Sequence, residues 1–200
     1  MGEGNAIPRL FVVDDEPDLV DLYAATLGND FEVKTAYGGP EAIDIIEQDA
    51  RFDVALIDRR MPDVSGDEVL ERLHDAAPDC RVAMITAVEP DFDVVDMPFD
   101  EYLVKPVSRA GVRETVERLL RMQSYREQRR EDYALASKLA ALQAHKEPED
   151  LEGNDEYEEL LERMASVRAE LDATAEGFEP GDFVVAFADI TQDVQATQLD

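Results

Sequence analysis

Short apolar runs and helix-type patterns alternate through the first half of the chain. Continuous apolar stretches are typical of strands buried on both faces of a parallel sheet. Five stretches have the character of strands, at residues 10–13, 32–36, 54–57, 82–85 and 102–104. Helically spaced apolar residues lie between the first four: Leu19, Val20, Leu22, Tyr23, Leu27; Ala42, Ile45, Ile46; and Val69, Leu70, Leu73. Because such alternation favours right-handed crossovers, we predict a five-stranded, doubly wound parallel α/β domain of three layers.

The pattern changes after residue 107 to nearly continuous helix formers. No glycine or proline lies between Gly111 and Pro148, so the last helix of the domain should continue as one long helix. Residues 148–153 should end it, and a second helix should begin near Asn154 or Asp155. Apolar residues in the second helix follow a 3-4-3-4 spacing: Tyr157, Leu160, Met164, Val167 and Leu171. The first long helix carries matching stripes: Val112, Val116, Leu119, Leu135, Leu139 and Leu142.

These stripes predict a C-terminal α-helical hairpin or an intermolecular coiled coil, because an apolar stripe must be buried against something. We therefore expect an α/β domain over residues 8–120 and a helical domain over 121–190. Residues 183–187 suggest a short strand, and the polar residues 191–200 suggest a disordered tail.

The acidic charge is the strongest compositional signal. The chain has 48 acidic and 19 basic residues and a net charge of −29. The acids are not confined to one tail, because residues 1–108 contain 26 acids and 8 bases, and residues 109–200 contain 22 and 11. Such self-repulsion is relieved by concentrated salt, so we interpret the chain as halophilic. It shows no membrane-spanning run or signal peptide, which favours a cytoplasmic protein, and its single cysteine, Cys80, predicts no disulfide.

Polar side chains follow the predicted strands where each strand ends. Asp14 and Asp15 follow the first strand, Asp58 the third, Thr86 the fourth and Lys105 the fifth. In an open parallel α/β sheet, ligands bind beyond the carboxyl ends of the strands, where residues distant in sequence converge. We therefore expect these five side chains to form one site.

The residue types in this predicted site are those of an aspartyl-phosphate switch. Mg²⁺ prefers carboxylate and phosphate oxygens, so Asp14, Asp15 and Asp58 are candidate ligands. Asp58 is the single acid at its strand end and is the candidate nucleophile for a phosphoryl group. Lys105 can place a cation on the phosphoryl oxygens, and the Thr86 hydroxyl can donate a hydrogen bond to one of them.

The chain resembles the receiver domain of two-component response regulators over about residues 8–120. The resemblance rests on Val13-Asp14-Asp15-Glu16, Leu56-Ile57-Asp58 with Met61-Pro62 and Gly66, Ile85-Thr86-Ala87, and Tyr102-Leu103-Val104-Lys105-Pro106. It implies a flavodoxin-like fold of strand order 2-1-3-4-5 and phosphorylation of Asp58 by a sensor histidine kinase. It also implies Mg²⁺ at Asp14, Asp15, Asp58 and the Arg60 backbone carbonyl, a switch through Thr86 and Tyr102, and a cis Lys105–Pro106 peptide.

Two departures from the receiver pattern qualify these expectations. Pro90 and Pro98 leave little room for the usual fourth helix between Thr86 and Lys105, so the common dimer through that helix is not expected. The alternative function of an aspartate-nucleophile phosphohydrolase requires a general acid two residues after the nucleophile. That position holds Arg60, so we expect no enzyme activity beyond self-catalysed phosphorylation and dephosphorylation.

Residues from about 109 onward resemble the HalX domain that is appended to receivers in haloarchaea. The resemblance suggests regulation, including regulation of transcription, without supplying a DNA-reading motif. Residues 109–130 are locally basic, which leaves DNA binding open, but a helix face paired with acids of the receiver is the preferred interpretation. A homodimer or a partner protein on the C-terminal helices, and a scaffold that does not bind DNA, are the other output hypotheses.

Overall fold

A computed structural model describes residues 7–178 of the chain. The chain divides into two compact units, residues 1–120 and 121–200. The strand predicted at 183–187 and the tail predicted at 191–200 lie outside the described residues.

A five-stranded parallel sheet forms the centre of the first unit. Its strand order is β2-β1-β3-β4-β5, as the resemblance implied. In β1, Phe11 and Val13 pack in one cluster with residues of the helical layer such as Ile46 and Leu73. Leu10 and Val12 alternate with them and point to the opposite face, and they too are almost completely buried. The strands are β1 (Arg9–Val13), β2 (Glu32–Ala36), β3 (Val54–Ile57), β4 (Arg81–Thr86) and β5 (Glu101–Val104).

Helices connect the strands as the alternating pattern predicted. They are α1 (Pro17–Leu27), α2 (Gly39–Gln48) and α3 (Gly66–Ala76). The Ser65 hydroxyl caps α3 by accepting a hydrogen bond from the Glu68 amide, and Asp67 and Glu68 suit its positive N-terminal end. These three helices and β1–β5 confirm the predicted α/β fold.

The link between β4 and β5 contains little helix, as its prolines predicted. Its helical content is one 3₁₀ turn, Phe92–Val94, which begins after Asp91. Phe92 and Val95 are 89% and 73% exposed, so apolar burial does not hold this part of the link in place. The Lys105–Pro106 peptide that follows β5 is cis.

Helix α4 (Arg109–His145) begins in the first unit and extends into the second. As far as residue 178, two helices follow it: α5 (Pro148–Leu151), a single turn within the predicted break, and α6 (Asp155–Glu176). The Asn154 side chain caps α6 by accepting a hydrogen bond from the Tyr157 amide at 2.9 Å.

The described residues of the second unit, 121–178, form an antiparallel helical hairpin. Gln128 on α4 meets Thr174 near the end of α6, whereas Gln143 meets Tyr157 near its beginning. A single apolar cluster fills the interface: Tyr125, Leu135, Met164, Val167 and Leu171, with Leu139, Leu160 and Phe178 at its margins.

One part of the stripe prediction needs correction. Val112, Val116 and Leu119 are nearly inaccessible to solvent, but they lie within the first unit and outside the hairpin cluster. Periodicity shows which face of a helix is buried, but it does not show which neighbour buries that face.

Candidate functional site

Three of the predicted side chains meet at the carboxyl end of the sheet. Residues Val13 and Ile57 are paired across β1 and β3, which brings the acids that follow them to one edge. The ammonium group of Lys105 lies 2.7 Å from Asp14 Oδ2 and 3.0 Å from Asp58 Oδ1. Both carboxylates are almost fully buried, at 2% and 5% exposure. The site therefore holds two buried acids on one partly buried cation.

Burial and pairing act in opposite directions on these charges. Burial opposes the charge on Lys105, but bonds to Asp14 and Asp58 outweigh it and raise its pKa above the ordinary value. For Asp14 the balance is reversed, because burial raises its pKa and the bond from Lys105 offsets only part of that rise. Repulsion from the Asp58 carboxylate adds a smaller contribution to the raised pKa of Asp14.

Backbone contacts hold Asp58 in place. Its amide donates to the Val13 carbonyl at 2.8 Å, and its Oδ2 accepts a hydrogen bond from the Arg60 amide at 2.7 Å. Gly66 passes so close that a Cβ atom there would lie 2.0 Å from the Asp58 carbonyl oxygen. A side chain at position 66 is therefore incompatible with this loop. Arg60 contacts Asp58 through its backbone amide, and its side chain is exposed.

Thr86 and Tyr102 meet at the turn after β4. Thr86 is 1% exposed, and its hydroxyl oxygen accepts a hydrogen bond from the Val88 amide at 3.4 Å. The Tyr102 hydroxyl donates to the Val88 carbonyl at 2.9 Å, while its ring packs beside Phe99 and the core. Lys105 joins this region through its amide, which donates to the Thr86 carbonyl at 2.8 Å. Both predicted switch residues thus contact one turn, and their switching role stays a prediction.

The donor set has the chemistry that Mg²⁺ prefers, but its third acid stands apart. Asp14 and Asp58 already present oxygens to a common cation, Lys105. Asp15 is exposed, and within residues 7–178 no three His, Cys, Asp or Glu side chains converge as a ready metal-binding group. The carboxylate oxygens suit Mg²⁺, and the assignment of these residues as its ligands stays a prediction.

Arg59 is a residue of this region that the sequence analysis missed. Its side chain is only 10% exposed, and it pairs with Asp67 at 3.0 Å and with Asp93 at 2.5 Å. The bonds to Asp67 and Asp93 raise the pKa of Arg59, and the bond from Arg59 lowers the pKa of Asp93. A signal existed, because an arginine directly after a buried strand needs a partner. No sequence signal identified Asp93 as that partner, because the two residues lie 34 positions apart in the chain.

Two arginines of the locally basic segment pair with acids of the first unit. Arg113 bonds Asp30 at 2.7 Å and the Thr26 carbonyl at 2.6 Å, and Arg118 pairs with Glu101. These contacts are those expected of a helix face that pairs with the receiver. None of the helices in residues 7–178 has the length and apolar character needed to cross a membrane.

Comparison with family models identifies both parts of the chain. The model described as the response regulator receiver domain matches residues 10–117, and the HalX domain model matches residues 121–187. The chain therefore belongs to the response regulator receiver family, with a HalX domain after the receiver. This family consists of signalling receivers rather than conventional enzymes.

Similar proteins extend the comparison. A Haloferax volcanii protein named "Putative transcriptional regulator" is 50% identical over 165 residues, which are 82% of this chain and 28% of that protein. The response regulator protein PilR of Pseudomonas aeruginosa is 32% identical over 120 residues, 58% of this chain and 27% of PilR. The chain thus spans less than a third of the length of these two relatives.

Solved structures agree with the receiver fold. A CheY-like receiver domain protein from Methanospirillum hungatei has a TM-score of 0.55 at 28% identity, over 59% of this chain and 97% of that one. The BeF₃-activated DrrB receiver domain has a TM-score of 0.52 at 25% identity, over 57% and 97%. Both likenesses cover only part of this chain.

Proposed function

We propose that this protein is a phosphorelay response regulator in which Asp58 accepts a phosphoryl group from a sensor histidine kinase. The carrying observation is the Lys105 ammonium group, which lies between the buried carboxylates of Asp14 and Asp58. A carboxylate buried next to another acid needs a cation, and the same cation is placed to bind phosphoryl oxygens.

The proposed transfer needs no further reactant. An Asp58 carboxylate oxygen attacks the phosphorus of a phosphohistidine, a new P–O bond forms, and the P–N bond breaks with its electron pair staying on the imidazole. Lys105 then pairs with the phosphoryl oxygens, and the Thr86 hydroxyl donates to one of them. Because Asp58 is nearly inaccessible, at 5% exposure, only a donor that enters this edge of the sheet reaches it.

Mg²⁺ is the proposed cofactor of this transfer. Asp14, Asp15, Asp58 and the Arg60 carbonyl would hold it, and when bound it offsets repulsion between the acids and the incoming phosphoryl group. The BeF₃-activated form of the DrrB receiver supports the use of beryllofluoride as a phosphoryl mimic here.

The proposed output runs through the C-terminal helices. We assign residues 8–120 to the receiver and 121–190 to the HalX-type domain, with Thr86 and Tyr102 reporting the state of Asp58. The name of the 50% identical Haloferax relative supports a role in transcription. Pairing of Arg113 and Arg118 with receiver acids favours a protein partner over direct DNA contact. The cation at Arg60 disfavours a phosphohydrolase, because it supplies no general acid.

Phosphorylation of Asp58 is directly testable. The protein is incubated with acetyl phosphate and Mg²⁺ in molar KCl, and the adduct is mapped by mass spectrometry. We expect one phosphoryl group, lost in Asp58→Ala and on chelation of Mg²⁺. Asp63→Asn is the matched control, because Asp63 lies in the same loop at a φ of 67°, a conformation that asparagine tolerates. Labelling at the wild-type level in Asp58→Ala would refute the proposal.

A further inference from the structure

The Arg59 cluster, formed by Arg59, Asp67 and Asp93, joins three separate parts of the first unit. Arg59 follows the proposed phosphoacceptor directly, Asp67 lies in the first turn of α3, and Asp93 lies in the 3₁₀ turn between β4 and β5. The guanidinium uses its Nε and one terminal nitrogen on Asp67 and both terminal nitrogens on Asp93. Its planar donors therefore fix both carboxylates relative to the acceptor loop.

The bond from Arg59 to Asp93 anchors the middle of the 88–97 segment. At its start, Val88 is held by Thr86 and Tyr102, and beyond its end Asp100 pairs with the buried Arg81 at 2.6 Å. Met97 packs on the core. Between these ends Phe92 and Val95 are exposed, so the bond from Arg59 to Asp93 supplies what apolar packing does not.

The same arginine fixes the acceptor backbone. The Arg59 carbonyl accepts a hydrogen bond from the Gly66 amide at 2.9 Å, and the next amide, that of Arg60, bonds Asp58 Oδ2. The backbone of Arg59 thus belongs to the loop that holds Asp58, while its side chain bonds Asp67 and Asp93. A buried guanidinium does not readily give up its partners, because an unpaired buried charge is costly.

We propose that Arg59 is a positioning residue that couples the state of Asp58 to the 88–97 segment through Asp93. The inference rests on the proposed phosphorylation of Asp58. The segment occupies the place where receivers usually have a fourth helix, and it presents Phe92 and Val95 to solvent. Phosphorylation is thereby communicated to an exposed surface without that helix.

Such coupling is reciprocal. If occupation of the Asp58 site changes the order of the segment, then releasing the segment from Arg59 changes binding at the site by the same factor. Coupling between two sites is typically worth about 5- to 150-fold in affinity. A purely structural ion pair would lower the melting temperature without changing the affinity of the folded protein.

The test compares two exposed acids of the segment. Asp93→Asn removes the charge and one of the two oxygens that bond Arg59, whereas Asp96→Asn removes the same charge at an exposed position that is not among the carboxylates bonded to Arg59. Mg²⁺–beryllofluoride affinity is measured by calorimetry in molar KCl, well below the melting temperature. Hydrogen exchange of residues 88–97 is followed with and without the mimic.

We expect Asp93→Asn to weaken binding by about fivefold or more, because a loosened acceptor loop is less preorganised, and Asp96→Asn by less than about twofold. The mimic should slow exchange in the wild-type segment and have a smaller effect in Asp93→Asn. Wild-type binding that is matched within twofold by Asp93→Asn would overturn the coupling and leave phosphorylation standing. A wild-type protein that binds no mimic would overturn both proposals.

A double-mutant cycle assigns the effect to Arg59. Arg59→Met combined with Asp93→Asn should bind the mimic no more weakly than Arg59→Met alone, because Arg59→Met already removes the bond to Asp93. Arg59→Lys should rescue binding only in part, since an ammonium group lacks the planar fork that spans Asp67 and Asp93. Additive losses in the cycle would show that Asp93 acts independently of Arg59. The Asp93→Asn measurement stands alone if Arg59→Met does not fold.

Discussion

The two units of this protein differ in how deeply they bury charged side chains. The first unit buries Asp14, Asp58 and Arg59 to 9% exposure or less, and each of them has bonded partners. Two ion pairs of the hairpin lie toward solvent: Arg163, 67% exposed, with Glu131, and Arg168, 53% exposed, with Asp132. The first unit can bury charge because backbone groups and neighbouring side chains surround its sheet edge.

Apolar burial shows the same difference. Leu10, Phe11 and Met84 in the sheet are completely inaccessible, whereas Met164 and Leu171 in the hairpin retain 9% and 8% exposure. A helix pair has one interface, so each apolar residue is covered from one side only. The comparison places the buried charges in the first unit, and it agrees with our proposal that the hairpin carries the output.

The largest expected effect acts on both units, because acids are spread through the whole chain. With a net charge of −29, the folded protein should lose stability as salt is diluted from about 1 M to 0.1 M, where the screening length grows from about 3 to 10 Å. Thermal melts followed by circular dichroism should shift upward with KCl. A midpoint that is independent of salt would contradict the halophilic interpretation.

Cys80 gives a separate probe of the first unit in the same experiment. Burial raises the pKa of its thiol to about 12, so it should react slowly with alkylating agents while the unit is folded. Alkylation that accelerates on dilution would show that the receiver itself opens. Loss of helicity with Cys80 still protected would localise the salt requirement to the hairpin.

The next largest effect should remove the hairpin alone. Leu160→Asp with Val167→Asp places two charges in the hairpin cluster, where Val167 is 5% exposed. Each change combines lost burial with an unpaired charge, for a total of roughly 4 kcal/mol or more. We expect a large loss of helical circular dichroism, with Asp58 labelling and Cys80 protection retained.

The matched control moves the same charges to outward positions of the same helix. Leu161 and Ser166 are exposed, so Leu161→Asp with Ser166→Asp should preserve the helicity. Loss of Asp58 labelling in the Leu160→Asp, Val167→Asp protein would show that the receiver site depends on the hairpin.

One glycine from each unit gives a smaller and sharper comparison. Gly66→Ala would place a Cβ atom 2.0 Å from the Asp58 carbonyl, against rigid backbone, and should cost about 3 kcal/mol. Gly153 has a φ of 75°, and nothing lies within 4 Å of the position that a methyl group would take there, so Gly153→Ala should cost about 1 kcal/mol. Chemical denaturation measures both. Equal losses of stability in the two variants would mean that the acceptor loop can shift to accommodate a side chain at position 66.

Strand-end chemistry was predictable from sequence because parallel strands place their carboxyl ends at one edge. That geometry was enough to predict that Asp14, Asp58 and Lys105 lie close together, and the structure places them in contact. The start of α6 near Asn154 and the proline-rich link were equally local signals. The break at 148–153 was also predicted, although its single helical turn was not.

Long-range partners were not predictable in the same way. The spacing of Arg59 and Asp93 follows no period, so no pattern marks the pair, and the burial of Val112 by the first unit depends on packing rather than on helical spacing. Asp15 neighbours Asp14 in sequence yet is exposed, so adjacency alone does not decide burial, and its role as a metal ligand stays a prediction. Tertiary contacts decide these positions.

The smallest expected effect tests whether buried charge in the first unit is a cost to folding. Asp14 and Asp58 share one cation, and burial raises the pKa of Asp14. Asp14→Asn leaves one acid on Lys105 and keeps an oxygen to accept the Glu16 amide, now bonded at 3.0 Å. Without Mg²⁺ at neutral pH, we expect the variant to be more stable by about 1 kcal/mol, or about 4 °C. Its Mg²⁺-dependent labelling should fall.

The stability difference between Asp14→Asn and wild type should depend on pH. A carboxyl group with a raised pKa in the folded state favours folding when protonated, and that contribution is lost as pH rises through the folded pKa. The gap between Asp14→Asn and wild type should therefore be full at neutral pH and close as pH falls through the raised pKa. Asp49 is the control of opposite sign, because bonds from Arg51 and Arg9 lower its pKa, so Asp49→Asn should not stabilise the fold. An Asp14→Asn protein less stable than wild type at neutral pH would show that Lys105 fully compensates both buried acids.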